Sequence, residues 1–437
     1  MKTERKLDSA WQLFFKSEGV LDHVNAAGHF DVDTSTLKKI TGEEPRILAK
    51  WDTSSQVPKV FAKSGLGIFP ISRKAYRIAP FSLFHKLEFS KLGKIESLSV
   101  PTWARSLQPD FAKRSENLVL SACFASGLFQ STLCEDQVHE LFPAISGRLS
   151  TKSMNFSISH TNPYKKQIPL STGSLQFEID GSYESSTNFG LIEAKNKFLP
   201  DFNIRQLYVP WRYLTVTLRK RIRPFFLMAS NEIVYLFEYQ FSNPNWLNSI
   251  ELVSANRYSF AETDITLEEI MKTSNIGSRK VKKSSSSSNR IFPQANNFNL
   301  VIDICERLSV DASDGHAIAE AMEYDPRQGS YYGDAACFLG LAQKDSSGIY
   351  KLTKLGRTIF AKPYKERVLS LIERIVSEEP FGDCLEWTLR NHKLPDTKFI
   401  AAKISESKWN LSGTTPARRA STVKGWIRWI LDQRTDR

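Results

Sequence analysis

Apolar residues along this chain switch between two spacings, and the switches outline its elements. Residues 7–18 carry a helical period, and 116–129 carry another, with Leu118, Leu120, Ala122, Phe124, Ala125 and Leu128 recurring along it. Short runs at 46–51, 57–62, 67–71 and 76–80 read as strands. So do 176–180 and 189–194, with the polar stretch 181–188 between them as a turn. Asp201, after Pro200, reads as the N-cap of a helix to about residue 214, kinked at Pro210. Strands are expected at 224–229 and 233–241, joined by Ser230, Asn231 and Glu232. A new pattern begins at 296, with helices at 297–308, 314–322 and 327–339, the last closing at Gly340. A hairpin then turns through 345–348, and a further helix starts near Lys354.

The pattern divides the chain into an N-terminal α+β domain (1–105), an α/β domain (106–272), a linker (273–295) and a C-terminal helical domain (296–437). The linker is set by TSNIGSRKVKKSSSSSNR at 273–290, which holds five consecutive serines, five bases and no acid. Such a stretch lacks the apolar surface that would offset its ordering entropy. A length of 437 residues accommodates this division and a sizeable core.

Charge narrows the partner. The net charge of +12 and pI of about 9.3 favour an anionic surface, nucleic acid or acidic membrane. No apolar run reaches the roughly 18 residues of a membrane span, and no apolar stretch follows Met1–Lys6 as in a secretory leader. The cysteines, Cys123, Cys134, Cys305, Cys337 and Cys384, are scattered and form no C-x-x-C pair. That speaks against a disulfide framework or structural zinc and for a reducing, cytoplasmic setting. Gly65-Leu66-Gly67 lacks the rest of a nucleotide-binding fingerprint.

The candidate chemistry lies at Phe177-Glu178-Ile179-Asp180-Gly181 and Leu191-Ile192-Glu193-Ala194-Lys195-Asn196. Strand alternation puts Glu193 and Lys195 on one face, and Asp180 ends the preceding strand. Two close carboxylates ionise together only with a compensating cation, and a hard ion such as Mg²⁺ takes oxygen ligands. Lys195 could orient an attacking water or offset transition-state charge, and the Ala194 carbonyl is a further possible ligand. The alternative is a set of turn and edge residues in surface ion pairs. Glu178 is an alternative carboxylate, and Glu184 reads as a solvated loop residue.

The D-(x)12-E-x-K spacing in helix–strand–strand–helix–strand order resembles the PD-(D/E)XK nuclease superfamily. Residues 176–212, QFEIDGSYESSTNFGLIEAKNKFLPDFNIRQLYVPWR, resemble type II restriction endonucleases in particular. The resemblance implies a mixed sheet flanked by helices, with Asp180, Glu193 and Lys195 in metal binding and catalysis. It suggests Gln206 as a site-adjacent residue, and Glu116 or Glu140 as an upstream helix carboxylate. Ile179 stands where the motif usually has proline. A cognate DNA methyltransferase is implied as well.

Basic residues interleaved with aromatics supply expected DNA contacts. Residues 203–223 hold six bases and no acid, from which Arg205, Tyr208, Arg212 and Arg219 are expected to face phosphates, the alternative being a helix with an aromatic core face and a solvated basic face. In 1–105, Lys59, Lys63, Arg73, Lys74 and Arg77 alternate with Trp51, Phe61, Phe69 and Tyr76, either a DNA surface or an ordinary small sheet. The C-terminal helix–helix–helix–hairpin order resembles a winged helix-turn-helix. Its third helix would present Arg327, Gln328, Ser330, Tyr331 and Tyr332 to a groove, with Arg418 and Arg419 preceding the last helix. The leading expectation is a sequence-specific, Mg²⁺-dependent restriction endonuclease acting on double-stranded DNA, with a homodimer as the form that would match palindromic sites. A modification- or structure-dependent nuclease and a non-catalytic winged-helix regulator are the alternatives.

Overall fold

Aromatic side chains organise the first segment. In the computed structural model, which describes residues 6–107, 115–134, 140–274, 291–322, 326–409 and 411–436, the helix Lys6–Glu18 turns Trp11, Phe14 and Phe15 inward. The Trp11 and Trp51 rings meet Phe61 edge-on at 4.8 and 4.7 Å. A small antiparallel sheet, ordered Phe30–Asp33, Ala75–Ala79, Gly67–Ser72, closes this cluster. Two expected strands are helices instead, Pro45–Ala49 and Lys59–Ser64. Pro45 and Pro58 sit at their starts, where a missing N–H costs nothing, and Gly65 closes the second in the left-handed region. Trp51, Phe61 and Phe69 are buried, Lys59 pairs with Asp8 at 3.1 Å and Arg77 with Asp31 at 2.6 Å. The basic–aromatic alternation here is therefore largely the inside and outside of a small fold.

The centre is a seven-stranded mixed sheet, ordered Ile95–Ser97, Ile250–Ser259, Ile233–Phe241, Arg221–Ser230, Asn188–Lys195, Gly181–Glu184, Phe142–Pro143. Strand 188–195 pairs antiparallel with 181–184 and parallel with 221–230. A parallel pair needs a crossover, which the helix Arg205–Thr217 provides. Alternation along the strands separates two layers. Phe189, Leu191, Phe226 and Met228 pack with Leu207, Tyr208 and Leu214 of that helix. Ile192, Ala194, Phe225 and Leu227 pack on the opposite face against Val119, Leu120, Leu128 and Phe129.

The local differences from expectation have physical causes. The helix expected over 116–129 is two, Glu116–Ala125 and Leu128–Leu133, broken at Gly127 with φ 79°. Residues 181–184 form a strand rather than a turn, because Gly181 to Glu184 continue the ladder against Ile192 to Phe189. Asp201 does not cap a helix. It lies in the short strand Asp201–Asn203 paired with Phe84–Lys86, and its carboxylate accepts from the backbone N–H and hydroxyl of Ser54. Strand 250–259 was unexpected, since its apolar residues, Ile250, Leu252, Val253, Ala255 and Tyr258, do not keep a strict alternation. Residues 84–86 and 95–97, expected with the N-terminal domain, pair with 201–203 and 257–259.

Beyond residue 291, the helices Phe298–Val310, Gly315–Ala321 and Pro326–Phe338 are joined by a three-stranded sheet ordered Ser313–Asp314, Ile349–Leu352, Ala342–Lys344, whose first strand lies between the first two helices. Five further helices follow, Lys354–Phe360, Tyr364–Val376, Glu379–Asn391, Thr397–Glu406 and Thr415–Asp432. Their apolar faces merge with one layer of the central sheet into a single buried cluster. Arg418 and Arg419 lie inside the last helix rather than before it. The serine-rich run at 275–290 and the side chain of Arg327 lie outside the described residues. Among the described residues, no helix is long and apolar enough to cross a membrane, and the five cysteines are free thiols.

Candidate active site

Three neighbouring strand positions assemble the site. Asp180 sits between strands Gln176–Ile179 and Gly181–Glu184, and pairing of Gly181 with Ile192 brings it beside Glu193. The Ala194 backbone N–H donates to Asp180 Oδ2 at 2.8 Å, fixing that carboxylate at the strand edge. Glu193 and Lys195 share the face covered by helix 205–217. Lys195 Nζ bonds Glu193 Oε1 at 2.5 Å and lies 3.9 Å from Asp180 Oδ2. Gln206, on the first turn of that helix, donates through Nε2 to the same Glu193 oxygen at 2.6 Å. Its own Oε1 is buried and has no hydrogen-bond partner among the described residues.

The electrostatics follow from burial. Glu193 is 8% exposed. Loss of hydration pushes its carboxyl well above the ordinary carboxylate range; Asp180 and Asp52 push the same way, and Lys195 opposes them. Burial disfavours the charge on Lys195, but Glu193, Asp180, Glu116 and Asp52 outweigh it and hold the ammonium form. Glu116, at the start of its helix, is raised by burial, feels Lys195 and Asp180, and accepts from the Asn196 backbone N–H. Glu116 therefore reaches this neighbourhood, whereas Glu140 is exposed. Glu178 is also exposed and faces Arg148 at 3.7 Å, and Glu184 pairs with Lys220 at 2.6 Å.

Asp52 is a neighbour that the sequence did not announce. Its segment is clamped to residues 201–203: Asn203 N–H donates to the Asp52 carbonyl at 2.8 Å, and Asn203 Nδ2 to the Trp51 carbonyl at 3.0 Å. A Thr53–Gln56 capping box, readable as T-x-x-Q, orders the turn. The N-terminal segment thus abuts the start of the helix that bears Arg205 and Gln206.

The other expected contact residues are scattered. Tyr208 is fully buried and its hydroxyl donates to the Pro244 carbonyl at 2.7 Å, so it faces the core and not a phosphate. Arg205 is half-buried; burial lowers its pKa, while Asp52, Tyr76 and Glu193 raise it. Arg212 is half-exposed and bonds Asn245 Oδ1 at 3.1 Å, and Arg219 is exposed. Arg223 is taken up by Glu238 at 2.7 Å, an acid from the neighbouring strand. Tyr331 is exposed and Gln328 half-buried, but Tyr332 is in the core. Arg418 is exposed, and Arg419 donates to Gln294 Oε1 at 2.6 Å.

Three family models match successive parts of the chain. Residues 8–78 match one domain of unknown function (DUF6996), 79–259 a second (DUF6997) and 300–435 a third (DUF7226). No curated protein and no solved structure matches it.

Proposed function

We propose that the chain is a metal-dependent DNA endonuclease with a PD-(D/E)XK core, a restriction-type enzyme that cuts double-stranded DNA at a short sequence. The observation that carries this reading is the convergence of Asp180, Glu193 and Lys195 at the edge of paired strands. Element order supports it: helix 116–125, then strands 142–143, 181–184 and 188–195, helix 205–217, and strand 221–230 parallel to 188–195. The reading places the reaction in the cytoplasm, on duplex DNA, with a homodimer matching two-fold sites and a methyltransferase protecting them.

The donor set fits Mg²⁺. Among the described residues, no three His, Cys, Asp or Glu side chains converge closely enough to hold a metal. A cation would therefore draw on the Asp180 and Glu193 carboxylates, the Ala194 carbonyl and the unpartnered buried Gln206 Oε1, all hard oxygens. When bound, the ion would supply charge for the phosphodiester and an acidified water. Lys195 Nζ would offset negative charge developing on the phosphate. Gln206 Nε2 and the Ala194 N–H hold the two carboxylates in their orientations. The C-terminal helix–helix–helix–hairpin order, with Gln328 and Tyr331 on its third helix, supports a winged-helix reader of base edges.

Purified full-length protein incubated with plasmid DNA and Mg²⁺ tests the reading. Discrete fragments that vanish with Lys195→Ala are expected. Intact plasmid in both methylated and unmethylated form would reject it, and cutting of the methylated form alone would identify a modification-dependent nuclease.

A further inference from the structure

Outside the central sheet, the strands Met154–Ile158 and Ile168–Thr172 form a separate antiparallel hairpin. Phe156, Ile158 and Leu170 anchor it in the core. Its connecting residues 161–167 are all exposed yet held in place. Thr161 donates through its backbone N–H to the Pro80 carbonyl at 2.8 Å and through its hydroxyl to the Gly65 carbonyl at 2.9 Å. Asn162 Oδ1 accepts from the Tyr164 N–H at 3.0 Å, and Trp246 Nε1 donates to Ser159 Oγ at 3.0 Å. On this tethered tip Tyr164 is 96% exposed, followed by Lys165 and Lys166. No acid occurs between residues 141 and 177.

The hairpin adjoins the helix that completes the site. Ser157 N–H donates to the Asn245 carbonyl at 2.8 Å, and Arg212 of helix 205–217 bonds the Asn245 side chain at 3.1 Å. One loop therefore ties the hairpin to the element carrying Gln206.

We infer that the tip at 159–167 is a duplex-DNA contact, with Lys165 and Lys166 on backbone phosphates and Tyr164 against the edge of a groove. This rests on the nuclease reading. A bare aromatic beside two lysines that form no ion pair among the described residues, on a held loop, combines the electrostatic and stacking elements of nucleic-acid surfaces. The stretch 141–177 carries four bases and no acid, which complements a phosphate backbone and favours DNA over a protein partner.

Anisotropy of a fluorescent duplex across a salt series, with full-length protein in EDTA, tests the inference. Lys165→Glu with Lys166→Glu is expected to weaken binding about tenfold and to lower the salt slope by about 2, one per lost phosphate contact. Tyr164→Ala is expected to weaken binding about fivefold with the slope unchanged. Equal melting temperatures verify that the exposed substitutions leave the fold intact. Unchanged affinity and slope in a protein that binds and cuts DNA would overturn the tip contact alone. Lost binding in the variants of a protein that never cuts would sustain the contact and reject the nuclease. No duplex binding by the unaltered chain would reject both.

Discussion

Lys195 holds the position on which the site's charge balance turns, because its ammonium bonds Glu193 and lies near Asp180. Lys195→Ala should slow cleavage at least about 100-fold, the size typical of losing one electrostatic contact to a transition state. Duplex affinity should change by less than about threefold, read by anisotropy, since the cations proposed to meet the phosphates lie elsewhere. A metal readout independent of turnover is also available. Mg²⁺ at about 100 times its dissociation constant should stabilise the protein by roughly 2.7 kcal/mol, raising its melting temperature, and Glu193→Gln with Asp180→Asn should abolish that rise. At this scale the shared face of Glu193 and Lys195 was legible because alternation along a strand is strict. Tyr208 was misjudged because two helical residues turn roughly 200°, so Gln206 toward Glu193 leaves Tyr208 toward the core. Asp52 was illegible, since only the clamp between 51–54 and 201–203 brings it there.

Elements were readable where a sustained apolar run marks them, as in helix 298–310 and the strand bearing Glu193. They were lost where the run is short or its alternation breaks. Residues 45–49 and 59–64 are short, and their helical state is set by proline starts and by packing on Trp11. Strand 250–259 takes its state from the ladder to 233–241. The pair of helices 315–321 and 326–338 depends on a close approach at Gly329, where an added Cβ would lie 2.2 Å from the Gly315 carbonyl oxygen. Backbone there cannot yield as a side-chain tip can. Gly329→Ala should therefore destabilise the protein by about 2 kcal/mol or more, seen as a lower midpoint in urea, and should weaken any reading of DNA by the exposed Tyr331.

Across the whole molecule, the C-terminal helices are fused to the central sheet through polar ties as well as apolar packing. Asp303 is buried and accepts from the Phe198 N–H at 2.7 Å and the Ser230 hydroxyl at 2.6 Å. Arg367 reaches Glu232 at 2.8 Å and Asn231 at 3.1 Å, the two residues that turn the 221–241 hairpin with positive φ. Asp303→Ala leaves two buried donors unmet and should cost about 1–3 kcal/mol. Hydrogen exchange should then quicken at Phe198, three residues past Lys195, before it quickens in the 6–78 segment, whose apolar cluster is separate.

Asp303 touches the ends of both strands in the parallel pair, since Phe198 follows 188–195 and Ser230 closes 221–230. A gene trimmed to stop after residue 274 would leave those donors facing solvent together with a broad apolar wall. Such a fragment should come out of cells as inclusion bodies. Co-expressing residues 291–437 as a second polypeptide should bring it back into the soluble fraction, so split expression is the practical route to dissecting the two halves.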